Sequence, residues 1–382
     1  MPTCPVCFHQ RAVPFFHRGN VPVANNILCA SREQALAFPT ADVAFAGCPD
    51  CGYAWNTAFD AGRLRYDDSY ENNQSLSPQF VAHLDDVLQN LEPLGSAVSL
   101  VEVGCGQGYF LRYLAARLGE RLRCAVGFDP ALRAVENTPR LCLKPGFFTE
   151  AELPADALPT LAVSRHVIEH LQKPVAFIKS IAACPSIRAI ALETPCLRWI
   201  LKHKAYFDLY YEHCSLFMPE TLSFALQQAG FAQTRVAQLF GGQYLLAVGE
   251  RGKGAADVPS QDFSEHFNAF SDNYAAFILK WKEKITRISA EFGPAALWGA
   301  ASKAVIFAGM LEGAASLLSA AVDINPAKQG NYLPVTGLPI ISPEKIKKSD
   351  IRAVIVVNPL YFEEIRKFCC EMRLSIRLFP LE

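Results

Sequence analysis

An apolar run of strand length, Val98-Ser-Leu-Val-Glu102-Val103, passes straight into Gly104-Cys-Gly106-Gln-Gly108 and then into the helical run Tyr109 to Leu118. No other stretch of the 382 residues narrows the choice of fold as far. Alternating glycines let the chain reverse sharply and bring backbone close to a ligand, and the helix that follows offers unpaired N–H groups at its start. Strand, glycine turn and helix make the first half of a βαβ unit, so the expected fold class is α/β with an open sheet. Cys124 to Phe128, Leu161 to Val163, Ala189 to Leu192 and Tyr244 to Val248 extend the pattern as short apolar runs separated by helical stretches. A second series follows in Ala295 to Trp298, Ala320 to Val322 and Ala353 to Val357. It implies a second α/β unit, a candidate for distant duplication of the first.

Length and composition set the outer bounds. A chain of 382 residues has room for two or three domains. With 51% apolar and 19% charged residues it is too hydrophobic to be disordered. The 36 basic and 37 acidic residues give a formal charge of −1 with no basic block, which argues against nucleic acid as a partner. The most apolar stretch, Ala295 to Val322, is interrupted by Lys303 and Glu312, and no charge-free run reaches the roughly 18 residues of a spanning helix. Membrane insertion is not expected, the N-terminus shows no apolar signal region, and the expected location is cytoplasmic.

In that setting the 13 cysteines read as thiols or metal ligands rather than a disulfide framework. Four are paired, in Cys4-Pro-Val-Cys7 and Cys48-Pro-Asp-Cys51, with 40 residues between the pairs. Two such knuckles supply four thiolates to a closed, structural zinc site with no position left for a catalytic water. The competing readings are two unrelated turns or a redox pair, and no βαβ pattern precedes either motif. The expected organisation is a zinc-binding module over residues 1–78, a cofactor domain over 79–250 and a C-terminal α/β domain over 260–382. A helix at 79–92, with Phe80, Val81, Leu84, Val87, Leu88 and Leu91 on its apolar face, leads into the second. Before the third, residues 249–262 read as a linker, and Phe263, Phe267, Phe270, Tyr274, Phe277, Trp281, Ile285 and Ile288 predict one long helix whose stripe is core packing.

The loop after Val103 reads Gly-x-Gly-x-Gly, not the Gly-x-Gly-x-x-Gly of dinucleotide sites, and Asp129 ends the next strand 23 positions beyond Gly106, where a carboxylate meets ribose hydroxyls. These residues resemble motif I and the following acidic residue of class I S-adenosylmethionine-dependent methyltransferases. The resemblance implies S-adenosyl-L-methionine as cofactor, with Gly104, Gly106 and Gly108 along its methionine part and Asp129 on its ribose. Glu102 and Arg165 join that set. Phe148 is either a wall for adenine or ordinary core packing. Two further clusters fall after strands, where open α/β sheets place their chemistry: Arg165-His166-Val-Ile-Glu169-His170 and Phe207-Asp208-Leu-Tyr210-Tyr211-Glu212-His213. A His beside a carboxylate and phenols is suited to taking a proton while its neighbours stabilise the charge that develops.

Taken along the chain, these features are similar to the three-domain sugar C-methyltransferase family, which acts on nucleotide-linked 4-keto sugars. The matching residues include both Cys-x-x-Cys pairs, Asn56-Thr-Ala-Phe-Asp60, Tyr70 with Gln74 to Ser77, Arg165 to His170 and Tyr210 to His213. Gly299-Ala-Ala-Ser302-Lys303, Asp323 to Gly330 and Val357-Asn-Pro match near the C-terminus. The resemblance implies that His213 is the base, with Tyr210 and Glu212 as partners and His170 and Tyr70 as further active-site groups. It implies removal of the C3 proton beside the 4-keto group, donation to the enolate oxygen by Tyr210, Tyr70 or His170, and attack on the sulfonium methyl without a metal. Ser302 and Lys303 at a helix start are candidates for the substrate pyrophosphate, or part of a loop that only packs. The alternative activity is methyl transfer to oxygen or nitrogen of another carbohydrate-like molecule. The expected partner is a nucleotide-sugar, on a monomer or homodimer.

Overall fold

The computed structural model describes residues 2–64, 74, 76–91, 98–149, 153, 159–252, 254 and 256–382. The described residues build three sheets. The first is antiparallel and pairs Val13–Pro22 with Thr40–Gly47 and the latter with Ala54–Asn56. Its fourth strand comes from far along the chain. Ser215–Leu216 pairs with Trp55 and Ala54, so the cysteine-bearing module is completed by residues that directly follow His213 and Cys214.

The second sheet has eight strands in the order Phe231–Leu239, Tyr244–Arg251, Ile187–Pro195, Thr160–Arg165, Val98–Val103, Leu122–Asp129, Leu141–Pro145 and Glu136–Asn137. The five strands from Ile187–Pro195 to Leu141–Pro145 are mutually parallel, and the outer ones return antiparallel. Val98–Val103 is buried on both sides because helices cover both faces of the sheet. Phe80, Leu84 and Val87 pack with Phe110, Leu111 and Leu114 on one face, and Ile178, Ile181 and Leu222 lie on the other. Strand order reverses between Val98–Val103 and Thr160–Arg165, the place where an open sheet leaves a crevice at its carboxyl edge. The Rossmann-like α/β class read from the sequence is the observed one.

The third sheet is wholly parallel, in the order Ile340–Ile341, Leu318–Val322, Ala295–Trp298, Ala353–Val356 and Arg377–Pro380. The single helix expected from Phe263 onward is two, Ser264–Ser271 and Tyr274–Phe292. The break falls at Asp272-Asn273, where the Asn273 carboxamide donates to Ala269 O and competes with the helical ladder. The two halves serve different neighbours. Phe267 lies 4.9 Å from Phe15 of the first sheet, and Trp281 packs edge-on to Phe307 beside the third. The strand Phe231–Leu239, partly exposed and interrupted by Gln233, Thr234, Arg235 and Gln238, was not read from the sequence.

Candidate active site and four-cysteine centre

The two cysteine knuckles have the same conformation. Cys4 N donates to His9 O and Phe8 N to Cys4 O; Cys48 N donates to Tyr53 O and Gly52 N to Cys48 O. Both turns close through a left-handed residue, Phe8 at φ 64° and Gly52 at φ 73°. The four sulfurs gather within 4.8 Å of one another, with Cys4 Sγ 3.6 Å from Cys51 Sγ and Cys7 Sγ 3.5 Å from Cys48 Sγ. Tetrahedral thiolates at about 2.3 Å from one ion lie about 3.8 Å apart, so the donor set and spacing fit a metal ion. The cluster is buried, and contact with the Cys4 thiol lowers Cys7 to about 7.

The glycine turn separates into two kinds of position. All three glycines have positive φ, at 81°, 54° and 75°. A Cβ on Gly104 would meet Val167 Cγ2 at 2.2 Å, and one on Gly108 would meet Leu143 Cδ1 at 2.3 Å. A Cβ on Gly106 meets nothing within 4 Å. Gly106 therefore borders open space, while Gly104 and Gly108 are glycine because the side chains of Val167 and Leu143 press on them. Asp129 accepts from Gly106 N at 2.7 Å and from Ala131 N at 2.8 Å, which fixes the carboxylate at the rim of that space. Glu102 is buried beneath the turn, and its Oε2 has no partner among the described residues. Burial raises its carboxyl to about 8, with Asp129 adding to the effect and Arg165 opposing it. An orphaned buried carboxyl, an open glycine and a rim carboxylate suit a ligand that carries an ammonium at one end and a ribose at the other, as S-adenosylmethionine does. Phe148 is half-buried edge-on to Phe128, 5.6 Å between centroids.

Arg165 is committed elsewhere. It donates to Glu193 through Nε at 3.0 Å and Nη2 at 3.3 Å, and its guanidinium lies 4.3 Å from the Phe110 ring centroid. Glu193, fully buried, also binds His83 Nε2 at 3.0 Å and His166 Nε2 at 2.9 Å. Burial alone would raise Glu193, but the Arg165 cation and the two imidazoles hold it well below the usual carboxylate range. Likewise burial opposes charge on His166, and Glu169 and Glu193 together overcome it and lift its pKa to about 9. His166 reaches Glu169 Oε1 at 3.2 Å from a left-handed backbone (φ 54°), and Glu169 Oε2 accepts from Thr194. Arg165 thus braces the floor of the site through Glu193.

Glu169, His170 and His213 lie with their ligand atoms within 4.8 Å of one another. The His213 ring stands between Tyr210, at 4.5 Å, and His170, at 4.9 Å. Its Nδ1 has no partner among the described residues. Burial lowers its pKa well below the usual range, and His170, His166 and Lys303 act in the same direction, so the imidazole is neutral. Glu212, read from the sequence as the group that holds this ring, accepts instead from Asn25 N at 3.0 Å through Oε1. The Tyr210 hydroxyl donates to Asp208 Oδ1 at 2.6 Å. Tyr70 lies outside the described residues.

All three sheets contribute to this place. Tyr53 and Ser215 share a hydrogen bond, and Ser215 Oγ donates to Leu171 O, so one short chain ties the cysteine module to the segments that carry His213 and His170. From the C-terminal unit, Lys303 Nζ reaches Asp208 at 2.5 Å, and Ser302 Oγ accepts from Asn26 Nδ2. Lys303 is therefore held by a carboxylate. The loop before it copies the cofactor turn: Ala300 N donates to Asp323 Oδ2 at 2.8 Å over the same 23-residue separation as Gly106 and Asp129. Here Lys328 Nζ sits 3.9 Å from Asp323 and donates to Ala300 O, placing an internal cation at the carboxylate.

The sequence reading passed over Glu193, His83 and Asn25, and gave Asp208 no role of its own. Two of them had a visible signal. Glu193 is a carboxylate at the carboxyl end of an apolar strand, and His83 interrupts the apolar face formed by Phe80, Leu84 and Val87. Asn25 is 2% exposed with neither amide atom partnered among the described residues, which no local pattern announces.

Residues 77–236 match the family described as a methyltransferase domain, and residues 246–373 match the C-methyltransferase C-terminal domain. No curated protein matches the chain. Among solved structures, an S-adenosylmethionine-dependent methyltransferase from Mesorhizobium loti is 15% identical, with 45% of this chain and 100% of that one covered and a TM-score of 0.34. The methyltransferase domain of a bacterial Hen1 is 18% identical (45% and 97% covered, TM-score 0.34). The small RNA methyltransferase HEN1 is 14% identical (52% and 28% covered, TM-score 0.38). A methyltransferase family over the central sheet and a C-methyltransferase family over the last one leave a single reading of the whole: this is an S-adenosylmethionine-dependent methyltransferase with a C-methyltransferase C-terminal domain.

Proposed function

We propose that the protein transfers a methyl group to C3 of a nucleotide-linked 4-keto deoxysugar through an enolate. The observation that carries this reading is His213, a half-buried neutral imidazole whose enclosed Nδ1 has no partner among the described residues, set between Tyr210 and His170 in a chain whose last unit matches a C-methyltransferase domain. A carbon next to a ketone is acidic because losing its proton gives an enolate, and a desolvated neutral imidazole is suited to accept that proton. His213 takes the C3 proton. His170 lies within reach of the same ring and is the group placed to donate to the enolate oxygen, because the Tyr210 proton is already directed at Asp208. Glu102, Gly106 and Asp129 hold S-adenosylmethionine, which when bound supplies an electrophilic methyl on a sulfonium. The enolate carbon is presented to that methyl, and no metal takes part.

Zinc on Cys4, Cys7, Cys48 and Cys51 is part of the same proposal, in a structural role supported by the matched knuckles and the sulfur spacing. So are the three domains at 1–78, 79–250 and 260–382, with the strand Ser215–Leu216 lent by the second to the first. A cytoplasmic setting is favoured by thirteen free cysteines. Among the described residues no helix is long and apolar enough to cross a membrane.

The test is to incubate the protein with nucleotide 4-keto sugars in deuterated water. Exchange of the C3 hydrogen without cofactor, followed by C-methylation when it is added, is the expected outcome. Methylation of an oxygen or nitrogen with no exchange would replace the proposal by the O- or N-methyl reading.

A further inference from the structure

The carboxylate of Asp208 is met from two sides. Lys303 Nζ, on the helix Ser302–Met310 of the C-terminal unit, contacts both of its oxygens, and Tyr210 of the central unit donates its hydroxyl to Oδ1. The pair is nearly sealed, with side-chain exposures of 16% for Lys303 and 10% for Asp208. Two rings flank the ammonium, Trp199 at 5.5 Å and Phe207 at 5.6 Å. Tyr210 in turn leans on His213, ring to ring at 4.5 Å. A cation donated by one unit therefore fixes a carboxylate, the carboxylate fixes a phenol, and the phenol fixes the imidazole.

We propose that Lys303 is a positioning residue which, through Asp208 and Tyr210, sets the orientation of His213 and makes the C-terminal unit necessary for turnover. The proposal rests on the reading of His213 as the base and adds to it what the C-terminal unit contributes. Its physical basis is the cost of a buried unpaired charge. Without Lys303, Asp208 is left desolvated and either takes up a proton or draws in water. Both outcomes change the acceptor that holds the Tyr210 hydroxyl, and a displacement of about 1 Å at the base lowers a rate by up to ~100-fold. The Lys303 ammonium also bears on the proton affinity of His213. The groups that bear on this ring are Tyr210 on its own segment, His166, Glu169 and His170 after the strand Thr160–Arg165, and Lys303 from the third unit. Removing one cation from that set makes it easier for His213 to hold a proton.

The experiment measures steady-state methyl transfer and C3 exchange by the full chain and by Lys303→Met. Expected for the variant are kcat lowered by about 10–100-fold, little change in KM for the nucleotide-sugar, unchanged S-adenosylmethionine affinity, and an acid limb of the rate profile moved to higher pH. Lys303→Arg should recover part of the rate. Because Lys303→Met leaves a buried unpaired charge that destabilises the fold, the paired variant Asp208→Asn/Lys303→Met removes both charges. It should fold, stay slow and keep the acid limb close to that of the parent. Parental kcat and pH profile in either Met-containing variant, or a loss confined to KM as expected of a pyrophosphate holder, would overturn the proposal. Should the unaltered protein neither exchange nor methylate C3, the reading of His213 fails first and this inference falls with it.

Discussion

At the scale of single residues, the glycine turn makes the sharpest distinction between ligand space and packing. Gly106→Ala places a methyl in open space at φ 54°, which costs about 1–2 kcal/mol of strain. Binding titration should show S-adenosylmethionine affinity falling at least ~10-fold while most of the stability survives, since each tenfold is only about 1.4 kcal/mol. Gly104→Ala and Gly108→Ala drive a methyl into Val167 and Leu143 and should lower the melting temperature well beyond that, because overpacking adds about 1–3 kcal/mol. Glu102 gives a pH signature. Its carboxyl, held at about 8, keeps a proton in the folded chain that the unfolded chain loses near its ordinary 4.5. The folded state thus binds the extra proton between these values, and its stability falls as pH rises through that window. Glu102→Gln should flatten the slope in thermal unfolding. A cationic ligand next to Glu102 lowers its pKa, so calorimetry near pH 7 should detect proton release on S-adenosylmethionine binding that the variant lacks.

At the scale of elements, the cysteine module is a brace for the acid–base groups. The knuckle at Cys48 leads directly into Tyr53, whose hydroxyl meets Ser215, and Ser215 in turn holds the backbone beside His170. Thr221 Oγ1 donates to Cys51 O from the following helix. Metal extraction with a chelator should therefore abolish methyl transfer while cofactor binding by the glycine turn persists, and readdition of zinc should restore the rate. Tyr53→Phe should lower kcat by about 10-fold or more through lost positioning, with S-adenosylmethionine affinity unchanged. What the sequence made legible at this scale was the content of each element, and what stayed hidden was pairing between distant ones. The strand at 98–103, the glycine turn and the helix after it follow from local composition. The strand Ser215–Leu216 is two residues long, and only its partner Ala54–Asn56 makes it a strand. In the same way Phe263, Phe267 and Phe270 announce a buried face but not that it packs on the first sheet rather than the third.

At the scale of the whole molecule, the three units meet through polar contacts as well as apolar ones. Gln243 and Asn358 exchange two amide hydrogen bonds, and Glu364 of the C-terminal unit accepts from Ser77 Oγ and Gln79 N at the start of the helix Pro78–Leu91. Glu364→Gln should cost about 1 kcal/mol in chemical denaturation, the scale of a lost helix cap, and leave kcat unchanged. The candidate site follows the same rule of legibility. Each cluster could be read from its own segment, as His170 and His213 were, but the groups that tie segments together could not. Arg165 and Lys303 were legible as cations near the site, but not that Glu193 and Asp208 hold them. The central claim, proton removal by His213 ahead of methyl transfer, is tested most directly by C3 hydrogen–deuterium exchange in a nucleotide 4-keto sugar, compared between the unaltered protein and His213→Asn. The account predicts exchange in the first and none in the second, with S-adenosylmethionine affinity equal in both; undiminished exchange in His213→Asn would contradict it.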